Sequence, residues 1–201
     1  DSYVPSGATE FNVADAGNLR PGDIIQIQKP VTARWIEFMQ MHNLVRDGKP
    51  QTWIKEGTRL ITERQIEKIS GNTIKLAVPL SDSFDSEFFS PPGITVVKTA
   101  QTGKLRQSGV EDLQIVSPPQ PISHSEPHFT ALRINGEDCW ARNILIEETM
   151  NSVGTGGKRI TLKNVIVKRK ALHQGSSRPA EFAPNGSQVL IDRCKVIADN
   201  V

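Results

Sequence analysis

The sequence predicts a mainly β chain. It reads as a small β-barrel-like module with a helical insertion over residues 1–100, then a right-handed parallel β-helix of about four coils over residues 101–201. Three observations point there. Aromatic residues make up only 5% of the chain while β-branched residues carry much of its apolar content, which suits narrow strand cores better than a helical bundle. The first half alternates in short runs cut by turn residues. The second half repeats one short pattern with spacers of varying length, the signature of a solenoid.

Within the first half, residues 9–13 alternate, Asn18-Leu-Arg-Pro-Gly-Asp23 turns the chain, and residues 24–27 form the next strand. Residues 59–69 and 73–78 flank Ser70-Gly71-Asn72, a hairpin signal in which Gly and Asn supply positive φ. Pro79, Pro91 and Pro92 break the pattern. Between the strand pairs, Trp35, Ile36, Phe38, Met39 and Leu44 fit an amphipathic helix over 32–45, with Trp35 toward the core. Trp53 falls in the Lys49-Pro-Gln-Thr-Trp-Ile loop, which presents it to a ligand.

In the second half four segments superimpose: Glu111-Asp112-Leu113-Gln114-Ile115, Arg142-Asn143-Ile144-Leu145-Ile146, Lys163-Asn164-Val165-Ile166-Val167 and Asp192-Arg193-Cys194-Lys195-Val196. Asp112, Asn143, Asn164 and Arg193 share a polar slot, at intervals of 31, 21 and 29 residues. A second set of strands precedes the last three copies: Ala131-Leu132-Arg133-Ile134, Met150-Asn151-Ser152-Val153 and Ala180-Glu181-Phe182-Ala183. Each coil buries its apolar side only against neighbours stacked at roughly 4.8 Å. The polar slot is expected to point inward at a tight corner and to bond the backbone of adjacent coils. The competing fold is an antiparallel β-sandwich. Gly154-Thr-Gly-Gly157 lacks the ending and the helix of a phosphate loop and reads as a coil turn.

Composition bounds the function. A net charge of +2 provides no general basic field, so nucleic acid is not an expected partner. No run approaches the ~18–20 apolar residues of a membrane span. Cys139 and Cys194 have no metal-knuckle spacing and read as buried thiols, with a disulfide as the alternative. The chain starts at Asp1, as a mature or trimmed product would, and stops at Val201 just after a strand. The expectation is a fragment with further coils.

The repeated Asn-Ile/Val-x-Ile/Val pattern with variable loops resembles the pectin-lyase-like superfamily of bacterial β-helices. The stretch from Val4-Pro-Ser-Gly-Ala-Thr to Leu19-Arg-Pro-Gly-Asp23, with Ile69-Ser-Gly-Asn-Thr-Ile74, is similar to a small β module found in such proteins. The resemblance implies an extracellular or periplasmic protein acting as lyase or hydrolase on a uronate-containing polysaccharide. It leaves the cofactor open, a divalent cation such as calcium being the candidate, and assigns no metal ligands. The sequence has neither the Trp-Ile-Asp-His box nor the Arg-x-Pro-x-x-Arg motif of pectate and pectin lyases, so no catalytic residue is carried over. The alternative is a non-catalytic glycan-binding or structural β-helix, such as an adhesin or a tail-fibre-like protein.

Loops that follow the same strand of successive coils emerge on one edge. The three that follow the Asn-type strands are 116–129, 147–149 and 168–179. They carry His124, Glu126 and His128, then Glu147 and Glu148, then Lys168, Arg169, Lys170, His173 and Arg178. β-Elimination needs a cation at the uronate carboxylate, a base for the α-proton and an acid for the leaving oxygen. His124 or His128 is the expected base, and Arg178 or Lys170 holds substrate charge. Hydrolysis needs two carboxylates, for which Glu126, Glu147, Glu148 and Glu181 are available. The expected catalytic set is therefore His124, His128, Glu126 and His173, and the substrate-binding set Arg178, Lys170, Glu147 and Trp53. Solvated loops and charged faces are the plain alternative for all of them.

Overall fold

A computed structural model describes residues 1–100, 103–123, 126–170 and 180–198. The chain is mainly β and divides into two compact units, Asp1–Gln101 and Thr102–Val201. Among the described residues no helix is long and apolar enough to cross a membrane.

The first unit contains strands β1 (Tyr3–Val4), β2 (Glu10–Asn12), β3 (Ile24–Pro30), β4 (Val45–Arg46), β5 (Lys49–Pro50), β6 (Arg59–Ser70), β7 (Thr73–Leu76), β8 (Phe84–Asp85) and β9 (Thr95–Lys98), with short helices α1 (Ala33–Phe38) and α2 (Ser86–Phe89). Its main sheet is antiparallel in the order β2-β7-β6-β3-β9. Phe11, Ile25, Ile27, Ile66, Ile74, Leu76 and Phe84 fill one core. Ser70 pairs with Thr73 across a two-residue turn, and only Gly71 takes positive φ there, at 59°. Asn72 does not share the role expected of it.

The predicted helix over 32–45 is six residues long instead. Thr32 caps its start, accepting from the Trp35 N–H. Gln40 enters the left-handed region at φ 56°, and the N–H groups of Gln40 and Met41 donate back to the carbonyls of Glu37 and Ile36. This left-handed cap stops the helix despite the apolar spacing beyond it. Nor does the helix bury a stripe: Phe38 and Met39 are exposed. What is buried is Lys29, whose ammonium pairs with Asp82 and lies 5.7, 5.3 and 5.2 Å from the ring centres of Trp35, Phe84 and Phe89.

The second unit is a partial parallel β-helix. Its strands are β10 (Gly109–Val116), β11 (Leu132–Glu147), β12 (Val153–Arg169), β13 (Phe182–Pro184), β14 (Ser187–Asp192) and β15 (Lys195–Ala198). All pair in parallel, β10 on β11, β11 on β12, and β12 on β13, β14 and β15 in turn. The four repeats align as read: Glu111 faces Arg142, Arg142 faces Lys163 and Lys163 faces Asp192. The antiparallel sandwich is excluded for this half. In the second set, Leu132, Val153 and Phe182 stand in register, so the strands begin at these residues; the quoted 150–153 and 180–183 segments start ahead of the true rungs.

The long strands turn corners at left-handed residues. Asp112, Asn143, Asn164 and Arg193 have φ of 55°, 54°, 52° and 53°. The polar slot is thus an outer corner, not an inward position. Asn143 Nδ2 donates to Asp112 Oδ1 at 2.8 Å, and Asn164 Nδ2 to Asn143 Oδ1 at 3.0 Å. The side chains bond one another up the stack rather than the backbone. Asn and Asp suit the slot because they enter the left-handed region at least cost among residues with a Cβ. A second corner runs through Asp138, Arg159 and Gln188. Beside it Gly136, Gly157 and Gly186 stack so closely that a Cβ on Gly157 would overlap the Gly136 carbonyl oxygen.

Ile144, Ile146, Val153, Ile160, Leu162, Val165 and Val167 form the core, each at most 1% exposed. Burying each such side chain contributes about 1.5–3 kcal/mol. Cys139 and Cys194 are free thiols, and burial raises the Cys194 pKa.

Candidate functional site

The rung register defines one polar edge. Val116 pairs with Glu147 and Glu147 with Lys168, so the segments that follow β10, β11 and β12 leave the stack from the same border. Hydrogen bonds lace them together. Ser117 donates through its N–H to Glu147 O at 3.1 Å and through Oγ to Glu148 O at 2.6 Å. The Glu148 N–H donates to Lys168 O at 3.0 Å, and the Lys170 N–H donates to Glu148 Oε1 at 2.9 Å. Gln114 Nε2 donates to Glu147 Oε2 at 2.5 Å.

His128 is half-buried on this edge. Its Nδ1 lies 2.8 Å from Glu126 O and its Nε2 lies 3.0 Å from Asn151 Nδ2. A carbonyl oxygen only accepts, so hydrogen-bond complementarity assigns the proton to Nδ1. Nε2 is then the lone-pair nitrogen, accepting from the Asn151 amide. The two contacts fix the orientation of the ring, with Nε2 turned toward the Asn151 amide.

Beneath the edge sits a buried polar knot. Thr149 Oγ1 donates to Ser152 Oγ at 2.6 Å, and Ser152 Oγ donates to Glu181 Oε2 at 2.5 Å. The Ser152 N–H reaches the same carboxylate oxygen at 3.2 Å, while Arg169 pairs with Glu181 Oε1. Arg169 Nε has no partner among the described residues. Both oxygens of Glu181 are engaged, and the group ties the start of β12 to the linker before β13. Its place is structural.

Of the residues singled out from sequence, Glu126, His128, Glu147 and Lys170 fall on this edge. His124, His173 and Arg178 lie outside the described residues. Trp53 is 78% exposed and belongs to the other unit. Among the described residues no three His, Cys, Asp or Glu side chains gather closely enough to hold a metal ion, so no calcium site is built from them.

Sequence reasoning missed a charged cluster at the second corner. Glu137 is buried, yet Lys158 Nζ lies 2.5 Å, Arg159 Nη2 3.0 Å and Arg106 Nε 2.9 Å from its carboxylate. Burial by itself would raise the Glu137 pKa. The Lys158 hydrogen bond and charge, with Arg106 and Arg159, outweigh it and hold the carboxyl below its ordinary range. Arg159 also clasps Asp138 through Nε at 2.5 Å and Nη2 at 2.7 Å. That hydrogen bond lowers the Asp138 pKa and raises that of Arg159. The signal was present: Gly136-Glu-Asp, Gly157-Lys-Arg and Gly186-Ser-Gln precede matching strands, and superposing them aligns Glu137 with Lys158.

The first unit holds a cavity of about 480 Å³ lined by Phe11, Ile27, Leu80, Phe84 and Ile94 with Asp1 and Asn12 among its polar residues. The Asp1 carboxylate accepts from the Asn12 N–H at 2.7 Å and from its amide at 2.9 Å.

No protein-family model and no curated protein matches the chain. Among solved structures it is similar to three phage tailspikes. The tailspike protein gp49 from Pseudomonas phage LKA1 shares 12% identity at a TM-score of 0.37, over 100% of this chain and 43% of that one. The Gp54 tailspike of Acinetobacter baumannii bacteriophage AP22, in complex with A. baumannii capsular saccharide, shares 12% at 0.40, over 96% and 37%. The Pseudomonas phage phi297 tailspike gp61 shares 15% at 0.38, over 94% and 32%. The chain thus spans less than half the length of each.

Proposed function

We propose that this chain is the glycan-binding part of an extracellular or periplasmic β-helix protein of the pectin-lyase-like kind, and that its ligand is an acidic, uronate-containing polysaccharide. The supporting observation is the Val116–Glu147–Lys168 register, which sets imidazole, amide, hydroxyl and carboxylate groups along one border at rung spacing. A repeating polar polymer meets a repeating polar edge there, and the paired backbone has already met the ordering cost of presenting it. In this reading Lys170 and Arg178 take glycan carboxylates and Glu147 takes hydroxyls, while Trp53, on the first unit, is a separate candidate for stacking on a sugar face.

Cleavage is the second reading, favoured by the His128 ring, which two hydrogen bonds hold in a fixed orientation on the linker edge. There His128 or His124 removes the α-proton, Lys170 or Arg178 neutralises the uronate carboxylate, and Glu126 and His173 complete the catalytic set. A single experiment separates the readings. The chain is titrated with polygalacturonate, alginate and an acidic capsular saccharide by calorimetry, while absorbance follows any unsaturated uronate. Saturable, salt-sensitive binding without new absorbance supports the binder; a rising absorbance supports the lyase. Binding to none of the three overturns both.

A further inference from the structure

The outer face of the rungs carries a second feature, away from the polar edge. Cys139 and Ala141 point inward, 1% and 0% exposed, so Trp140 and Arg142 between and beyond them point out. In register, Trp140 stands between Gly109 and Thr161, and Arg142 between Glu111 and Lys163. Gly109 leaves a gap that the indole fills. Three consecutive ring atoms, Cδ2, Cε2 and Nε1, are nearly equidistant from where a Gly109 Cβ would stand, so the ring lies flat over that glycine. One face packs on the neighbouring rung and the other looks outward. The Glu111 carboxylate locks this pose. Its Oε1 accepts from Trp140 Nε1 at 2.5 Å, and its Oε2 accepts from Arg142 Nη2 at 2.5 Å.

The charges beside the ring do not cancel. Glu111 is paired with Arg142, and Asp192 with Arg193 at 3.3 Å. Lys163, between Arg142 and Asp192 in the same column, has no side-chain partner among the described residues. The patch therefore offers a fixed aromatic face and one unspent positive charge. Trp140 and Lys163 are one rung and two residues apart, roughly 8 Å between Cα atoms, and the indole leans away over the Gly109 rung, so a pyranose on the ring and the lysine stem together span the gap.

We infer that Trp140 and Lys163 form a subsite for a single uronate residue, its C–H face on the indole and its carboxylate at Lys163, with the Glu111–Arg142 pair holding the indole in place. A pyranose presents the flat apolar face that an aromatic ring prefers, and a uronate adds the one negative charge that Lys163 lacks. This subsite rests on the proposed acidic-glycan reading and gives it a location distinct from the linker edge.

The test titrates the full chain with an oligogalacturonate and with its methyl ester, following tryptophan fluorescence and affinity. Trp140→Leu is expected to weaken binding of the acid about tenfold. Lys163→Gln is expected to weaken it about threefold to tenfold, to flatten the salt dependence, and to bind acid and ester alike. Lys163 is only partly buried and has no side-chain partner among the described residues, so this variant decides the matter even if Trp140→Leu unfolds. If Lys163→Gln binds the acid within about twofold of the parent chain while Lys170→Ala loses it, the subsite is overturned and the glycan reading stands. If the parent chain binds no uronate oligomer, both fall.

Discussion

The two units are built from the same kind of strand and hold their registers by different means. In the first, the antiparallel neighbours β6 and β7 are joined by a two-residue turn, and that turn sets their register. In the second, every pairing is parallel and joins residues 21 to 31 positions apart, as at Asn164–Asn143 and Asn143–Asp112. No tight turn can set such a register. Corner residues set it instead, through left-handed backbone, a stack of glycines and side chains that bond up the column. The difference teaches where a single substitution is dangerous: at a turn in the first unit, and wherever rungs touch in the second.

Glycine substitutions test this most sharply. Gly157 has φ 99° and no room for a Cβ beneath the Gly136 carbonyl. Gly157→Val should cost about 4 kcal/mol or more. Gly71 has φ 59° and open space around it, so Gly71→Ala should cost only about 1–2 kcal/mol. Urea denaturation with hydrogen exchange resolved by segment separates the two, and equal costs would break the comparison.

Glu137 comes next. Replacing it with Ala leaves Lys158 buried and unpaired, at a cost of about 3–5 kcal/mol. The pH dependence has a definite sign. The folded-state pKa is depressed, so the contribution is complete above the ordinary value of 4.5 and is lost as pH falls from there through the folded value. Acid unfolding of residues 132–169 below about pH 4.5 should therefore lose steepness in Glu137→Gln. An unchanged acid profile in that variant counts against the cluster.

Asn143→Ala removes two ladder bonds and a residue suited to the left-handed corner, for about 1–2 kcal/mol, and Asn143→Gly should recover part of it. The smallest effect is expected in the first unit. Lys29→Met keeps volume within the aromatic cage, and Asp82 is half-exposed and able to rehydrate, so stability should move by about 1 kcal/mol or less. A large loss there would mean that the cage depends on the ammonium itself.

The repeat was legible because interior alternation and the Asp/Asn/Asn/Arg slot recur whatever the linkers do. Its direction was misread because a polar residue beside apolar ones suits an inward bond as well as a left-handed outer corner, and only φ tells them apart. Glu137 and Lys158 were passed over for a related reason, although superposing Gly136-Glu-Asp on Gly157-Lys-Arg aligns them. Each reads locally as a solvated charge, and only the register brings opposite signs together. The long helix over 32–45 failed because apolar spacing says nothing of the left-handed turn at Gln40. On the edge, the linkers could be assigned to one border from the repeat, while the Asn151 partner of His128 could not, since a hydrogen bond between neighbouring linkers depends on conformations that no periodicity encodes.

The unequal spacers have one more consequence. The Asp112–Asn143–Asn164 corner, the glycine stack and the alternating interior carry most of the information that aligns the rungs, and the linkers add local ties such as Ser117 to Glu148 and Ser152 to Glu181. Closing a longer linker costs little, about 0.6 kcal/mol for each doubling of its length. The border is thus open to replacement: a segment of foreign length and chemistry can be spliced between Val116 and Leu132 while the comb beneath keeps its pitch. A scaffold of this kind can change what it grips without relearning how to fold.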